Sequence, residues 1–245
     1  MKCVIFAAGL GTRLRPLTDN MPKALVPVAG KPLLAHVLEK MAAAGFSDAV
    51  LNVHHFADQI IDYLATHDFG LRVVVSDERE LLLETGGGLR HAQALLNADA
   101  PFLVHNVDIL SNLDLAAFYK MHQPGDLATL LVSDRKTSRY LLFDEQLRLV
   151  GWTNVQTGEV RSPYQNLDVE ACQKLAFAGI HTISPDIFSL MEGWPDRFSI
   201  IDFYLSVCAA HTIRGVQVPN LRMLDVGKID SLHEAENFLV DKLMS

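Results

Sequence analysis

The feature that most constrains the fold is an alternation of short apolar runs with segments of helical spacing. The apolar runs are rich in branched side chains and cover residues 3–7, 49–53, 71–75, 102–104 and 127–132. Between them, apolar side chains recur every three or four positions over residues 33–44, 57–65, 88–96 and 113–121. This order is typical of a mainly parallel sheet with helices on both faces. We therefore predict an α/β fold that binds ligands beyond the carboxyl ends of its strands.

The alternation lapses after about residue 134. We expect strands over residues 140–143, 147–152, 175–181 and 215–218, loops over the polar residues 153–173, and helices near residues 185–191, 200–210 and from about 230. No linker rich in Gly, Pro or Ser is visible, so we predict one domain over residues 1–245. It would contain a first part (about 1–134), an inserted subregion (about 135–225) and a C-terminal helix (about 230–243).

Composition and charge exclude several classes of protein. The 245 residues are 49% hydrophobic and 20% charged, a globular mixture unlike that of a disordered chain. The net charge of −8 disfavours nucleic acid and anionic membranes as partners. Three scattered cysteines, with no signal peptide or apolar run of membrane length, predict reduced thiols and a cytoplasmic location. The oligomeric state is left open.

The first strand leads into a cationic segment that we call the glycine loop (residues 7–32, AAGLGTRLRPLTDNMPKALVPVAGKP). Residues 1–31 hold five cationic side chains against one carboxylate, which predicts a small anionic ligand here. Gly9 and Gly11 permit positive φ and let main-chain N–H groups approach a phosphate. We expect the loop to bring three cations back over the strand end, namely Arg13, Arg15 and Lys23.

Two common phosphate-binding patterns are absent from the glycine loop. The third glycine of a dinucleotide-binding fingerprint is replaced by Leu14, which disfavours an NAD(P)-dependent oxidoreductase, and no Walker-type G-K-[ST] follows. Four prolines exclude an ordinary helix before residue 32. The phosphate is therefore not expected at a standard helix N-terminus.

The stretches GLGTRLRPLT (9–18), PKALVPV (22–28) and GKP (30–32) resemble the signature of the sugar-1-phosphate nucleotidyltransferases over some thirty residues. The resemblance implies a Rossmann-like three-layer sandwich with a mixed, mainly parallel sheet. It implies a nucleoside triphosphate and a sugar 1-phosphate as substrates and Mg²⁺ as cofactor, with the nucleotide in the first part and the sugar in the inserted subregion. It assigns nucleotide binding to Ala7, Ala8, Gly9, Gly11, Thr12, Arg13 and Lys23, and catalytic roles to Arg13 and Lys23.

Two aspartates are candidates for the metal. Asp108 follows the buried run PFLVHNV and Asp225 follows RML, and carboxylates are the protein ligands that Mg²⁺ prefers. Each could instead form a turn or cap a helix. The resemblance makes both metal ligands, gives Asp108 a catalytic role, and places Asn106 at the nucleotide. Val107 stands where the family usually has glycine.

Three further segments complete the expected site. The segment LETGGGL (83–89) precedes a predicted helix, and its glycines indicate close backbone approach. By resemblance it contributes Glu84 and Gly87 to the nucleotide site, with Glu84 accepting from uracil N3–H; the competing interpretation of Glu84 is a helix-entry carboxylate. Gly179, in FAGI (177–180), and Asp225 are implied to bind the sugar. The sequence leaves open the roles of three cationic residues, namely Lys31, Arg135 and Arg139.

Within the family, the segments LETGGG and LDVG most resemble the uridylyltransferases that act on N-acetylmuramate 1-phosphate in cell-wall recycling. Guanylyltransferases or other nucleotidylyltransferases for heptose or mannose 1-phosphate are the alternative. A catalytically inactive, nucleotide-sugar-binding regulatory subunit is the alternative of another class. Such a protein would be expected to lack Lys23 or one of the two aspartates, and the chain has all three.

Overall fold

The computed structural model of the chain describes residues 1–243, with side chains described up to residue 239. The helices are α1 (Leu33–Ala43), α2 (Ala57–Ala65), α3 (Glu84–His91), α4 (Gln93–Leu96), α5 (Leu115–Lys120), α6 (Ile187–Leu190), α7 (Ile200–Val207) and α8 (Asp230–Leu243). The strands are β1 (Lys2–Phe6), β2 (Pro27–Val28), β3 (Lys31–Pro32), β4 (Asp48–Val53), β5 (Arg72–Asp77), β6 (Phe102–Asn106), β7 (Ile109–Ser111), β8 (Asp126–Ser133), β9 (Arg139–Phe143), β10 (Leu149–Asn154), β11 (Glu159–Arg161), β12 (Gln173–Ile183), β13 (Thr212–Val216) and β14 (Met223–Asp225).

The main sheet has ten strands and confirms the α/β prediction. Strands β5, β4, β1 and β6 lie side by side and run parallel. Next to β6, strand β12 is antiparallel, and it also pairs with β8, which is parallel to β13. The sheet is therefore mixed and mainly parallel, and the carboxyl ends of β1, β4 and β6 meet at one edge.

Alternate residues of β1 show why the fold has three layers. Val4 and Phe6 pack into a core with residues of α3, α4, α6 and α7. Cys3 and Ile5 pack into a second core with residues of α1, α2 and α5. Because side chains of a strand alternate between faces, β1 is covered on both sides. The three layers of the predicted sandwich are confirmed.

The inserted subregion is joined to the main sheet through one long strand. The first residues of β12, Gln173–Leu175, pair with β9, whereas residues 180–183 pair with β6. Strands β9, β10 and β11 form an antiparallel meander. The prediction of loops over residues 153–173 missed β11. The boundaries of 1–134 and 135–225 stay predictions, because the hydrogen-bonded sheet runs continuously through both parts.

One local prediction, the start of α3, needs correction. Helix α3 begins at Glu84 and not at residue 88, so the glycine triplet lies inside it. A Cβ on Gly86 or Gly87 would collide with the Phe198 ring or the Asp196 carbonyl, so close packing of this helix selects glycine. Asp225 ends β14, which pairs only with β7 in a separate two-stranded sheet. Among residues 1–243, no helix combines the length and apolar composition needed to cross a bilayer.

Candidate active site

A cavity of about 550 Å³ opens at the carboxyl ends of β1 and β6. Ten of the residues singled out from the sequence line it: Ala7, Ala8, Gly9, Gly11, Thr12, Arg13, Lys23, Glu84, Asn106 and Asp108. Eight others also line it: Phe6, Leu10, Asn52, Leu82, Thr85, Val107, Ser199 and Gly227. The sequence therefore identified more than half of the wall, and the strand-end position agrees with the location expected for ligands.

The glycine loop folds back on itself at Gly11. This glycine has a φ of 65°, and an added Cβ would lie 2.9 Å from Thr18 Cγ2. The Thr18 hydroxyl donates to the Gly11 carbonyl at 2.8 Å, and three short 3-10 turns follow in place of an α-helix. Gly9 does not have a positive φ, but a Cβ there would meet nothing within 4 Å. The loop thus leaves open space beside Gly9, where a phosphate could approach the main chain.

The cations of the glycine loop divide into two groups. Lys23 is only 8% exposed and forms an ion pair with Asp108 inside the cavity, and Arg13 lines the cavity from its exposed side. Arg15 instead pairs with a neighbouring aspartate, and Lys31 pairs with Glu39, both away from the cavity lining. The expectation that Arg15 folds over the strand end was wrong, because its local ion pair turns it to the surface.

Asp108 and Asp225 are held near each other by the small sheet. Asp225 lies opposite Ile109, and Val226 N donates to the Asp108 carbonyl at 2.8 Å. Partial desolvation of the carboxyl group, and next the repulsion from Asp108, raise the pKa of Asp225. Among the described contacts, the Asp225 carboxylate has no hydrogen bond or ion pair. Two such carboxylates suit a divalent cation completed by substrate oxygens.

The surroundings of Gly227 show that Arg13, from the glycine loop, and the Asp225 carboxylate lie close together. A Cβ at this position would lie 2.7 Å from Asp225 Oδ1 and 2.9 Å from Arg13 Nη2. Asp225 itself does not line the cavity, but Gly227 does, so the carboxylate stands directly behind that wall. No group of three or more His, Cys, Asp or Glu suited to a metal occurs within the described part of the chain. A metal here would rely on two carboxylates and on its substrates.

The sequence analysis did not predict a buried hydrogen-bond network behind the cavity. Asn52 Oδ1 accepts from the N–H groups of Ala7 at 2.7 Å and Ala8 at 3.3 Å, while its Nδ2 donates to Glu78 Oε1 at 2.9 Å. Asn52 and Glu78 are each 3% exposed, and burial raises the pKa of the Glu78 carboxyl group. The available signal was a polar residue inside the apolar run of residues 49–53, since a buried polar group needs a partner.

Glu84 lies at the first turn of α3, in the left-handed region with a φ of 62°. Its Oε1 accepts from Arg197 Nε at 2.9 Å, a partner that sequence spacing gave no means to predict. Beside it, the Thr85 hydroxyl accepts from Ile200 N at 3.0 Å, which ties α3 to α7. Gly87 lies outside the cavity and against the Asp196 carbonyl, so the structure does not bring it to the other predicted nucleotide residues.

Gly179 lies behind Asn106 and not in the cavity wall. It has a φ of 73°, and a Cβ there would lie 2.6 Å from Asn106 Nδ2. The glycine therefore leaves room for the asparagine side chain. Val107, which replaces the family's usual glycine, is 4% exposed, and its N–H donates to the Phe6 carbonyl at 3.0 Å. This bond extends the β1–β6 pairing, so the replacement leaves Asp108 at the cavity.

A second cavity, of about 560 Å³, adjoins the first through their common residue Ser199. It lies in the inserted subregion and is lined by both Arg135 and Arg139, the two arginines whose roles the sequence left open. The aromatic side chains of Trp152 and Phe177 also line it. The first cavity lies at the parallel strands and the second at the antiparallel meander, with Ser199 between them.

Comparison with known proteins identifies the class. Residues 2–242 match the nucleotidyl transferase family. The chain is 36% identical over 233 residues to the N-acetylmuramate alpha-1-phosphate uridylyltransferase of Caulobacter vibrioides, covering 90% of this chain and 89% of that protein. It is 42% identical over 139 residues to a mannose-1-phosphate guanyltransferase of Neurospora crassa, covering 54% of this chain and 37% of that protein.

Solved structures agree on the fold. The UDP-glucose pyrophosphorylase of Acinetobacter baumanii superimposes with a TM-score of 0.76 at 18% identity, covering 96% of this chain and 91% of that one. The chain belongs to the nucleotidyl transferase family, as the glycine loop indicated. Within it, the chain is a sugar-1-phosphate nucleotidyltransferase, an enzyme whose substrates are a nucleoside triphosphate and a sugar phosphate.

Proposed function

We propose that the protein transfers the uridylyl group of UTP to N-acetylmuramate 1-phosphate, releasing pyrophosphate, in the recycling of cell-wall sugars. The observation that carries this proposal is the similarity to the Caulobacter uridylyltransferase, which extends over nine-tenths of both chains. The match to the Neurospora guanyltransferase involves barely half of this chain. The similarity to the uridylyltransferase thus extends over both the first part of the chain and the inserted subregion.

The proposed reaction is an in-line displacement at the α-phosphorus. A phosphate oxygen of the sugar 1-phosphate forms the new P–O bond, the bond between the α-phosphorus and the bridging oxygen breaks, and pyrophosphate leaves with that electron pair. The attacking monoester is largely dianionic at neutral pH because its second pKa is about 6. No strong general base is needed, so catalysis consists of positioning and charge stabilisation.

The glycine loop supplies the groups for the triphosphate. Main-chain N–H groups of residues 9–12 and the Arg13 guanidinium would hold the leaving β- and γ-phosphates. Lys23 would stabilise charge on the α-phosphoryl oxygens, and its low exposure strengthens that interaction. Its ion pair with Asp108 fixes its position before substrate binds. Ala7, Ala8 and Asn106 would line the nucleoside side of the same cavity.

Family members typically use Mg²⁺, and Asp108 and Asp225 are the residues that would hold it. When bound, Mg²⁺ offsets the mutual repulsion of the two phosphate-bearing substrates. The fit rests on the chain's own donors. Asp225 has an unpaired carboxylate close enough to Asp108 for their repulsion to raise its pKa, as expected of a pair that a cation would stabilise.

Glu84 would accept a hydrogen bond from N3–H of uracil. Its carboxylate lines the cavity, and Arg197 holds it there through contacts of 2.8 and 2.9 Å. A carboxylate can accept from uracil N3–H, whereas adenine and cytosine present an acceptor nitrogen at the corresponding edge. Gly179 and Asp225 would border the sugar phosphate. We place the reaction in the cytoplasm, consistent with free thiols at Cys3, Cys172 and Cys208.

Transfer of a guanylyl group to mannose 1-phosphate is the second candidate, favoured by the 42% identity over 139 residues. A panel of the four nucleoside triphosphates against N-acetylmuramate, mannose, heptose and glucose 1-phosphates, with pyrophosphate release as readout, separates the two. We expect the highest kcat/KM for UTP with N-acetylmuramate 1-phosphate. A higher value for GTP with mannose or heptose 1-phosphate would replace our assignment with the second candidate.

A further inference from the structure

The floor of the second cavity is one face of the meander β9–β11. Two rows of paired residues cross it: Arg139 lies opposite Asn154, which lies opposite Glu159, and Leu141 lies opposite Trp152, which lies opposite Arg161. All six line the cavity. Because directly paired residues share a face of the sheet, the rows place guanidinium groups beside the Trp152 ring. The polar side chains in these rows are suited to a sugar derivative.

The cations of this cavity differ in how they are held. Arg161 lies over the Trp152 ring, with Cζ 4.0 Å from the centroid, and its Nη1 donates to Asp202 at 2.5 Å. Arg135 donates to the Phe177 carbonyl at 3.2 Å.

Arg139 differs from Arg161 and Arg135 because the described part of the protein does not hold its guanidinium group. Its guanidinium has no hydrogen bond or ion pair among the described residues, although Glu159 lines the same cavity. Its N–H groups are therefore available to a ligand in the second cavity. A guanidinium fits a carboxylate particularly well because its N–H groups match the two oxygens.

We infer that Arg139 determines specificity by binding a carboxylate on the sugar moiety, so that the enzyme selects acidic sugar 1-phosphates. This inference rests on the proposed function and extends it, because N-acetylmuramate carries a lactyl carboxylate that N-acetylglucosamine lacks. Lys23 lines the first cavity, where the reacting phosphate would lie, whereas Arg139 lines the second cavity in the row of Asn154 and Glu159. The two anionic groups of such a substrate would thus have separate partners.

The test compares kcat/KM for N-acetylmuramate 1-phosphate with the values for its lactamide, in which the carboxylate is neutral, and for N-acetylglucosamine 1-phosphate. We expect the wild type to prefer the acid by about 10- to 100-fold over both, the range of a charge-assisted hydrogen bond. In Arg139→Met this preference should fall to about one, through a higher KM for the acid. Lys136→Met, an exposed neighbour outside the cavity lining, should retain the wild-type preference.

Equal use of the acid and the lactamide by the wild type would overturn the inference without any variant, while leaving the nucleotidyl transfer intact. An equal loss for all three sugars in Arg139→Met would also overturn it, because Arg139 would then serve the phosphate or the fold. Activity of the wild type with other sugar phosphates but none of these three would contradict the proposed function and the inference together. The three failures are therefore distinguishable.

Discussion

The two halves of the site hold their polar groups in different ways. In the nucleotide half, the first cavity, where we propose that the nucleotide binds, the loop is fixed by main-chain geometry at Gly11 and by the buried pair Asn52 and Glu78. In the sugar half, the second cavity, where we propose that the sugar binds, guanidinium groups lie on one face of the antiparallel meander, and Arg139 is exposed. The first arrangement couples ligand geometry to protein stability. The second lets side-chain identity change with little effect on the core.

The largest effect is expected from Lys23→Met. The variant keeps a long side chain in the nucleotide half but removes the charge that would face the α-phosphoryl group. We predict a fall in kcat of about 10³-fold or more, the scale found when a charge-stabilising group is deleted from a phosphoryl- or acyl-transfer site. Pyrophosphate release measures it, and circular dichroism checks the fold.

Lys31→Met is the matched control, because Lys31 belongs to the same loop but pairs with Glu39 outside the cavity. Its kcat should stay near the wild-type value. A Lys23→Met enzyme of near-normal activity would remove Lys23 from the proposed mechanism.

Asn52→Ala tests whether geometry and stability are coupled in the nucleotide half. The change leaves the Ala7 and Ala8 N–H groups without the Asn52 acceptor, and it leaves Glu78 Oε1 without the Asn52 donor. We predict a loss of about 1–3 kcal/mol in the free energy of unfolding and a rise in nucleotide KM of about 10-fold or more. Denaturant titration and initial rates measure the two effects.

Ser76→Ala provides the comparison for that variant. Ser76 is fully buried and contacts His91 at 2.9 Å, but it does not contact the glycine loop. It should lower stability by about 1 kcal/mol and leave the nucleotide KM unchanged. If Asn52→Ala also altered only stability, the network would be structural and the contrast between the halves would fail.

A pH effect on stability, with no loss of activity at neutral pH, is expected at the seam between the halves, where β6 meets β12. Burial lowers the pKa of His105 to about 4 and that of His181 to about 3, and His181 Nδ1 forms a 2.7 Å hydrogen bond with the Tyr204 hydroxyl. Because both pKa values lie below the unfolded value of about 6.5, the folded state binds fewer protons. Stability is therefore complete above pH 6.5 and declines as the pH falls toward 4.

Between pH 6.5 and 5 the decline should approach about 1.4 kcal/mol per pH unit for each histidine. His181→Asn keeps a polar side chain near the Nδ1 position and should lower the slope in the free energy of unfolding by up to about 1.4 kcal/mol per pH unit. His233→Asn, at an exposed position, should leave the slope unchanged. An unaltered slope in His181→Asn would show that His181 is not a buried neutral group.

The sequence predicted those features that depend on residues close together along the chain. Lys23, Asp108 and the lack of a helix before residue 32 were predictable, because each depends on a contiguous motif or on proline. The start of α3 was not, since its glycines disfavour a helix until tertiary packing against Phe198 overrides that preference.

The hydrogen-bonded pairs that the sequence did not predict join residues that are far apart along the chain. Glu84 pairs with Arg197 across 113 residues, and Asn52 reaches Ala7 across 45. Only Asn52 had a local signal, as a polar residue in a buried strand. The small sheet that brings Asp225 beside Asp108 depends on strands of three residues, which are too short for a periodic pattern.

The central claim is that one polyphosphate lies between the glycine loop and the two aspartates. A crystal structure with Mg²⁺ and a non-hydrolysable UTP analogue tests it most directly. We predict the β- and γ-phosphates against residues 9–13, the α-phosphate within hydrogen-bond distance of Lys23 Nζ, and the metal on Asp108 and Asp225. A triphosphate bound outside this cavity, or a metal that contacts neither aspartate, would contradict the account.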